Sequence, residues 1–327
     1  MEIQSAAPRL PVVYLDQNQW ITIAQAKYSP QKVKNVVELG AADSVVRSAT
    51  DGKVLLPLST AHLVETARTG NPERRGKLAD SMLELYDGWH MRHPLDIRQF
   101  ELMSLLRGET APRSIELEPF STKPNTPFQA AQWGNAFQAS DDFTAAQQKF
   151  ITDRAWRAAW SETLRHDTYD ADERRTSDQF VEGWAKGFEE LGRYMGNNPA
   201  PRDVRLVAAG KLMADLNKEI ALASAKTGIT PEDLAPFLRP ENLVDSFAKL
   251  PFIGRLLDVT FQRLRNPQTR WKRNDLNDMT YLCCAAAYAD FVVAERATAH
   301  FLRLGTGNFP SGALVLRDLS ELRPLLP

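Results

Sequence analysis

The sequence predicts an α/β protein with a central parallel sheet and a large all-helical insertion. Three observations carry this. Short apolar runs without alternation lie near both ends of the chain, as strands covered on both faces require. Helical patterns separate those runs. Between residues 98 and 269 the strand signal stops and helical periodicity takes over.

The first predicted strand is Pro11-Val12-Val13-Tyr14-Leu15, ending at Asp16. Asp16 can N-cap a helix from Gln17 to about Lys27, and a second helical stretch runs from about Val33 to Thr50. The turn pair Asp51-Gly52 introduces a second strand, Val54-Leu55-Leu56-Pro57-Leu58. Ser59 or Thr60 then caps a helix carrying Leu63, Val64 and Ala67, which stops near Gly70. Asn71-Pro72 starts another, with Leu78, Met82, Leu85 and Tyr86 at helical spacing. Glu109 to Gln132 is rich in Pro, Ser and Thr and predicts a long irregular connection. Helical stretches follow near Ala139–Arg165, Asp170–Tyr194, Pro201–Thr227 and Phe252–Arg265. Their aromatics, Phe150, Trp156, Trp160, Phe180, Trp184 and Phe188, recur at three- and four-residue steps and predict bundle core. A helix from Thr280 to about Tyr288 feeds the third strand, Phe291–Ala294, and Ala313–Leu316 is the fourth. The predicted division is therefore 9–97 with 270–327 as one discontinuous domain, and 98–269 as a helical insertion.

The chain has 327 residues, 40 Lys plus Arg against 41 Asp plus Glu, and a net charge of −1. Such a balance excludes overall basicity as a source of nucleic-acid affinity, which then needs a local patch. The adjacent pair Cys283-Cys284 cannot form a disulfide framework or a zinc site and reads as small core residues. The N-terminus lacks the pattern of a signal peptide and no run of about 18 apolar residues occurs, so a cytoplasmic protein without a membrane span is expected.

The carboxylates are placed in a telling way relative to the strands. Asp16 ends the first strand, Glu65 lies on the helix after the second, and Asp275 and Asp278 open the helix before the third. Glu295 follows that third strand's last apolar residue. In open parallel sheets the functional crevice lies beyond the carboxyl ends of the strands. Acids converging there repel one another unless cations are present, and clustered hard oxygens suit Mg2+ or Mn2+ and phosphate substrates. Asp290 reads as terminating its helix rather than as a ligand.

The segments V-V-Y-L-D16-Q-N18, L-P-L-S59-T-A-H62-L-V-E65 and N-D275-L-N-D278-M-T-Y-L…D290-F-V-V-A-E295 together resemble a PIN-like nuclease domain. The resemblance covers roughly residues 9–90 and 270–327. It implies an α/β/α sandwich, an acidic pocket binding Mg2+ or Mn2+, and cleavage of single-stranded RNA. Asp16 matches the first-strand acid, Asn18 the small polar position after it, and Glu65 the helix acid. Asp278 matches the third acid by spacing, with Asp275 as a rival or additional member. Glu295 stands where the family often has Asp. The resemblance also implies a toxin or antiphage defence context, with an antitoxin or regulatory protein as partner; the helical insertion itself is the expected surface for self-association.

Arg263, Arg265, Arg270, Lys272 and Arg273 crowd a stretch around Trp271 beside the Asp275–Asp278 pair. Arg270, Lys272 and Arg273 are read as backbone contacts and Trp271 as a base-stacking platform. His62, three residues before Glu65, is a capping or phosphate-contacting residue. His90 and His93 lack a second ligand pair for zinc, and Gly305-Thr306-Gly307 reads as a turn. Two function classes result: a metal-dependent endoribonuclease acting on single-stranded or structured RNA, and a non-catalytic RNA- or protein-binding module on the same scaffold. Cleavage of structured DNA ranks third, since no helical DNA-binding motif stands out.

Overall fold

A computed structural model describes residues 9–109, 117–123, 126–128, 143–166, 171–196, 200–266, 270–305 and 312–327. Three of the four predicted apolar runs form one parallel sheet. Its strands are β1 (Val13–Leu15), β4 (Phe291–Val293) and β5 (Leu314–Leu316), in the order β1-β4-β5. Val13, Tyr14 and Leu15 pair with Phe291, Val292 and Val293, which in turn pair with Leu314, Val315 and Leu316. The fourth run, Val54–Leu58, falls short of a strand. Leu55 bridges Val12 in parallel, with Val13 N donating to Leu55 O and Leu55 N to Pro11 O, both at 2.9 Å. Pro57 has no N–H to carry the ladder on, and Leu58 bridges His90 instead.

Alternation along the strands assigns each side chain to one of two cores. Val13, Leu15, Val293 and Leu316 join one core, and Tyr14, Val292 and Val315 join the other. The first core is completed by α1 (Gln17–Tyr28), α2 (Val36–Thr50), α3 (Thr60–Ala67) and α4 (Pro72–Leu85). Asp16, Asn35 and Asn71 N-cap α1, α2 and α4 with their side chains; the α2 start is three residues later than predicted because Pro30–Lys32 forms a separate 3-10 turn. A short antiparallel pair joins β2 (His90–Met91) to β3 (Phe120–Ser121), and α5 (Pro94–Leu106) lies between them. Strand β3 falls in the expected irregular stretch, most of which lies outside the described residues.

The helices of the predicted insertion are α6 (Ala145–Arg165), α7 (Ala171–Met195), α8 (Pro201–Asp215), α9 (Asn217–Thr227), α10 (Pro231–Leu238), α11 (Pro240–Ala248) and α12 (Pro251–Leu264). They do not stand apart from the sheet. Trp156, Trp160 and Leu164 of α6 fill the first core beside Leu78 and Met82, while α8, α9, α11 and α12 fill the second beside Tyr14 and Val292. Helix α12 is buried nearly all round, as a central helix must be. Its N-terminus is capped by Glu101 of α5, which accepts from Phe252 N at 2.7 Å, Ile253 N at 2.9 Å and the Tyr288 hydroxyl. Helix α13 (Asp275–Tyr288) packs along α12 and leads into β4, followed by α14 (Arg296–Gly305) and α15 (Leu319–Leu322). Thr306 and Gly307 of the predicted glycine turn lie outside the described residues. Cys283 and Cys284 are buried free thiols, and burial pushes Cys283 up to about 12. None of the described helices is long and apolar enough to cross a membrane.

Candidate functional site

Asp16 leaves the sheet at the carboxyl end of β1, where the chain turns into α1. Its Oδ1 accepts from Gln17 N at 2.7 Å and its Oδ2 from Glu295 N at 3.2 Å, while its own N–H donates to Val293 O. This carboxylate therefore stitches the ends of β1 and β4 together, and each oxygen keeps a lone pair free. Burial raises the Asp16 carboxyl above its ordinary range; the two backbone bonds oppose this, and the Glu295 charge adds to it.

Two further half-buried acids face it. Glu65, on α3, is pushed up to about 8, first by burial, then by the charges of Asp16 and Asp278, with Arg68 opposing. Asp278, in the first turn of α13, is pushed up to about 7 by burial, Asp16, Asp275 and Glu295, with Arg263 opposing. Three carboxyl groups from three different elements thus lie within electrostatic reach of one another at the carboxyl edge of the sheet. Among the described residues no group of three or more His, Cys, Asp or Glu side chains is arranged so that it could hold a metal ion.

The other two predicted acids play smaller parts. Glu295 is exposed, so its backbone N–H holds Asp16 while its carboxylate lies at the rim. Asp275 Oδ2 accepts from Arg263 at 2.5 Å and from Lys272 N at 2.6 Å, so its carboxylate is already partnered, while its charge still raises Asp278. Of the two rivals for the third acid, Asp278 is the one that faces Asp16 and Glu65.

The basic stretch needs correcting. Trp271 is 7% exposed; it stacks on Phe188 at 4.2 Å and 23°, with the Arg263 guanidinium 4.2 Å from its ring centroid. Both faces being occupied, it is a core residue and offers no platform to a base. Arg273 is ion-paired to Asp178 of α7. Arg270 and Lys272 are exposed, and the Arg270 carbonyl accepts from Arg263. Asn18 is exposed on the first turn of α1. His62 is also structural: its Nε2–H donates to Leu15 O at 2.8 Å and its Nδ1 accepts from Ser59 N at 3.0 Å. Burial lowers it to about 4, so it stays neutral and holds β1 to the start of α3. Asp290 lies at the opposite edge, accepting from Val12 N at 2.7 Å and pairing with Arg9. His90 is packed against Trp156 and Trp160, and His93 N-caps α5.

A polar layer under the acids escaped the sequence reading. The Tyr14 hydroxyl bonds Ser59 Oγ at 2.8 Å, and Thr60 Oγ1 bonds the Tyr281 hydroxyl at 2.5 Å. Tyr14 is held well above its usual range by burial, with Asp16, Tyr281 and Glu65 adding to this and the Ser59 bond opposing. Spacing offered a signal: Tyr14 precedes Asp16 by two residues along a strand, and Tyr281 follows Asp278 by three along a helix, so each shares a face with its acid. Arg68, three residues after Glu65, follows the same rule.

No family model, curated protein or solved structure matches this chain.

Proposed function

We propose that this protein is a metal-dependent endoribonuclease with a PIN-like α/β/α arrangement, hydrolysing phosphodiester bonds in single-stranded or structured RNA. The observation carrying the proposal is the convergence of Asp16, Glu65 and Asp278 at the carboxyl edge of a parallel sheet, where the Asp16 charge raises both of the others. Carboxyl groups raised by burial and by a neighbouring acid ionise at a cost, and a divalent cation offsets it.

The donor set fits Mg2+ or Mn2+. Mg2+ keeps several waters and takes only one or two carboxylates directly, so a closed protein cage is not required. Asp16 and Asp278 would hold such an ion, with Glu65 directly or through water, and Glu295 from the rim. A bound ion there supplies Lewis-acid polarisation of a phosphoryl oxygen and a water of lowered pKa. The chain's own residues supply the rest. Gln17 and Glu295 N–H groups fix the Asp16 carboxylate, and His62 and Tyr14 hold Ser59 and the start of α3 beneath Glu65. Near neutral pH without cation, Glu65 holds a proton on a carboxyl oxygen and Asp278 is in the midst of its titration.

The test is cleavage of a mixed single-stranded RNA and tRNA pool by wild type, Asp16→Asn and Asp278→Asn, in Mn2+, Mg2+ and EDTA. Metal-dependent cleavage lost in both variants supports the nuclease. RNA bound but never cut by folded wild type favours the second reading, a non-catalytic RNA- or protein-binding module. That reading draws on the unclosed ligand set. A toxin or antiphage role, an antitoxin partner, self-association through residues 98–269 and a cytoplasmic location belong to the same proposal.

A further inference from the structure

Two arginines flank the acids, and both are tied to the same carboxylate oxygen. Arg68 follows α3 directly, three residues beyond Glu65, and its Nη2 lies 3.2 Å from Asp178 Oδ1. Arg273 comes from the segment leading into α13, five residues before Asp278, and its Nη2 contacts that same Oδ1. Asp178 sits on α7, and no predicted function used it. The side chains are 26%, 37% and 22% exposed for Arg68, Arg273 and Asp178, so the cluster is accessible to a ligand without being fully solvated. Arg273 Nε is buried and has no hydrogen-bond partner among the described residues, so this guanidinium has donor capacity left over. Arg68 is close enough to lower Glu65.

Two guanidinium groups converging on one oxygen from separate elements match what a phosphate oxygen needs. We propose that Arg68 and Arg273 form a seat for a backbone phosphate of the bound strand, and that Asp178 is a built-in competitor occupying it in the free protein. The inference rests on the nuclease reading for its ligand, a phosphodiester strand, and assigns that ligand a contact beside the acids. Entry of a phosphate displaces the Asp178 carboxylate, so substrate binding loosens the hold of α7 on the site.

The experiment uses the Asp16→Asn protein in EDTA, so that binding is read without cleavage, and a fluorescent single-stranded RNA titrated at several salt concentrations. Adding Asp178→Asn is expected to tighten binding about threefold to tenfold, since it removes a competing charge. Adding Arg68→Ala or Arg273→Ala is expected to weaken it and to reduce the salt slope by about one each. In the protein lacking both arginines, Asp178→Asn has no further effect. If Asp178 serves only to tether α7, Asp178→Asn lowers Tm and leaves RNA affinity unchanged or weaker, which overturns the proposal. The Arg variants decide the matter should Asp178→Asn fail to fold: unchanged affinity and slope in both also overturns it. A thermal-shift titration with inorganic phosphate separates the two readings. Stabilisation that increases in Asp178→Asn and is lost in Arg68→Ala keeps the seat even where RNA does not bind, so failure of the nuclease reading is told apart from failure of the seat.

Discussion

Replacing Glu65 by Gln removes the titration of a carboxyl raised first by burial and then by the charges of Asp16 and Asp278. The folded carboxyl titrates near 8, against about 4.3 in an unfolded chain. A raised folded value means that the native state binds the proton more tightly. Its stabilisation is therefore complete below pH 4 and is lost as pH rises through 8. Between pH 6 and 8 the full linkage amounts to about 2 kcal/mol; Glu65 is partly open to solvent, and screening reduces this to about 1 kcal/mol. Gln keeps the shape without the titration. Relative to wild type in EDTA, Glu65→Gln should gain about 1 kcal/mol between pH 6 and 8, which is about 1–2 °C in Tm for a chain of this size. The contribution of Glu101 is present in both proteins and largely cancels in the difference. Thermal or urea denaturation at half-unit pH steps measures it. Mn2+ adds a second arm, since a cation must displace the protons: its stabilisation of wild type should grow from pH 6 to 8 and shrink in the variant. A Glu65→Gln difference that is flat with pH would refute the coupling.

Trp271→Ala should cost about 3–5 kcal/mol in urea denaturation by emptying a buried, doubly stacked position, and an equal loss of RNA affinity in the folded variant would contradict its core role. Glu101→Gln turns one acceptor oxygen into an amine facing a backbone N–H and should destabilise by about 1–3 kcal/mol. Because burial raises Glu101 to about 7, that variant should also lose the wild-type decline in stability between pH 5 and 7 that this group contributes. His62→Ala leaves Ser59 N and Leu15 O without their buried partner and should cost about 2 kcal/mol or more. Burial lowers His62 to about 4 while an unfolded imidazole titrates near 6.5, so the loss should be about 0.8 kcal/mol smaller at pH 6 than at pH 8, as denaturation at the two ends would reveal.

What could be read from the sequence was local. Short unbroken apolar runs located β1, β4 and β5, and Asp16, Asn71 and the Asn274 region marked helix starts. The acids were visible because each sits at a strand–helix junction, where one-dimensional order already places it at a sheet edge. The remainder depended on neighbours far away in the chain. Trp271 looked available because charged residues surround it in sequence, yet Phe188 and Arg263 cover it in space. Pro57 curtailed a strand that hydrophobicity alone had extended. Helices α10 and α11, with Pro at their first positions and Pro236 inside α10, fall between two predicted helical stretches and were not predicted; Pro signals both a stop and a start. The role of Asp178 had no sequence signal, since its partners lie 110 and 95 residues away.

The hydrogen bond from Glu295 N to Asp16 spans 279 positions, and the acid set itself joins an early part of the chain to a late one. Glu65 and Asp278 are 213 residues apart. At about 5–20 residues per second, a ribosome needs about 10–40 s to go from one to the other. Throughout that interval β1 has no β4 to pair with and Asp16 has no Glu295 amide to orient it. A nascent chain therefore carries only Asp16 and Glu65 of the candidate site until Asp278 has been added.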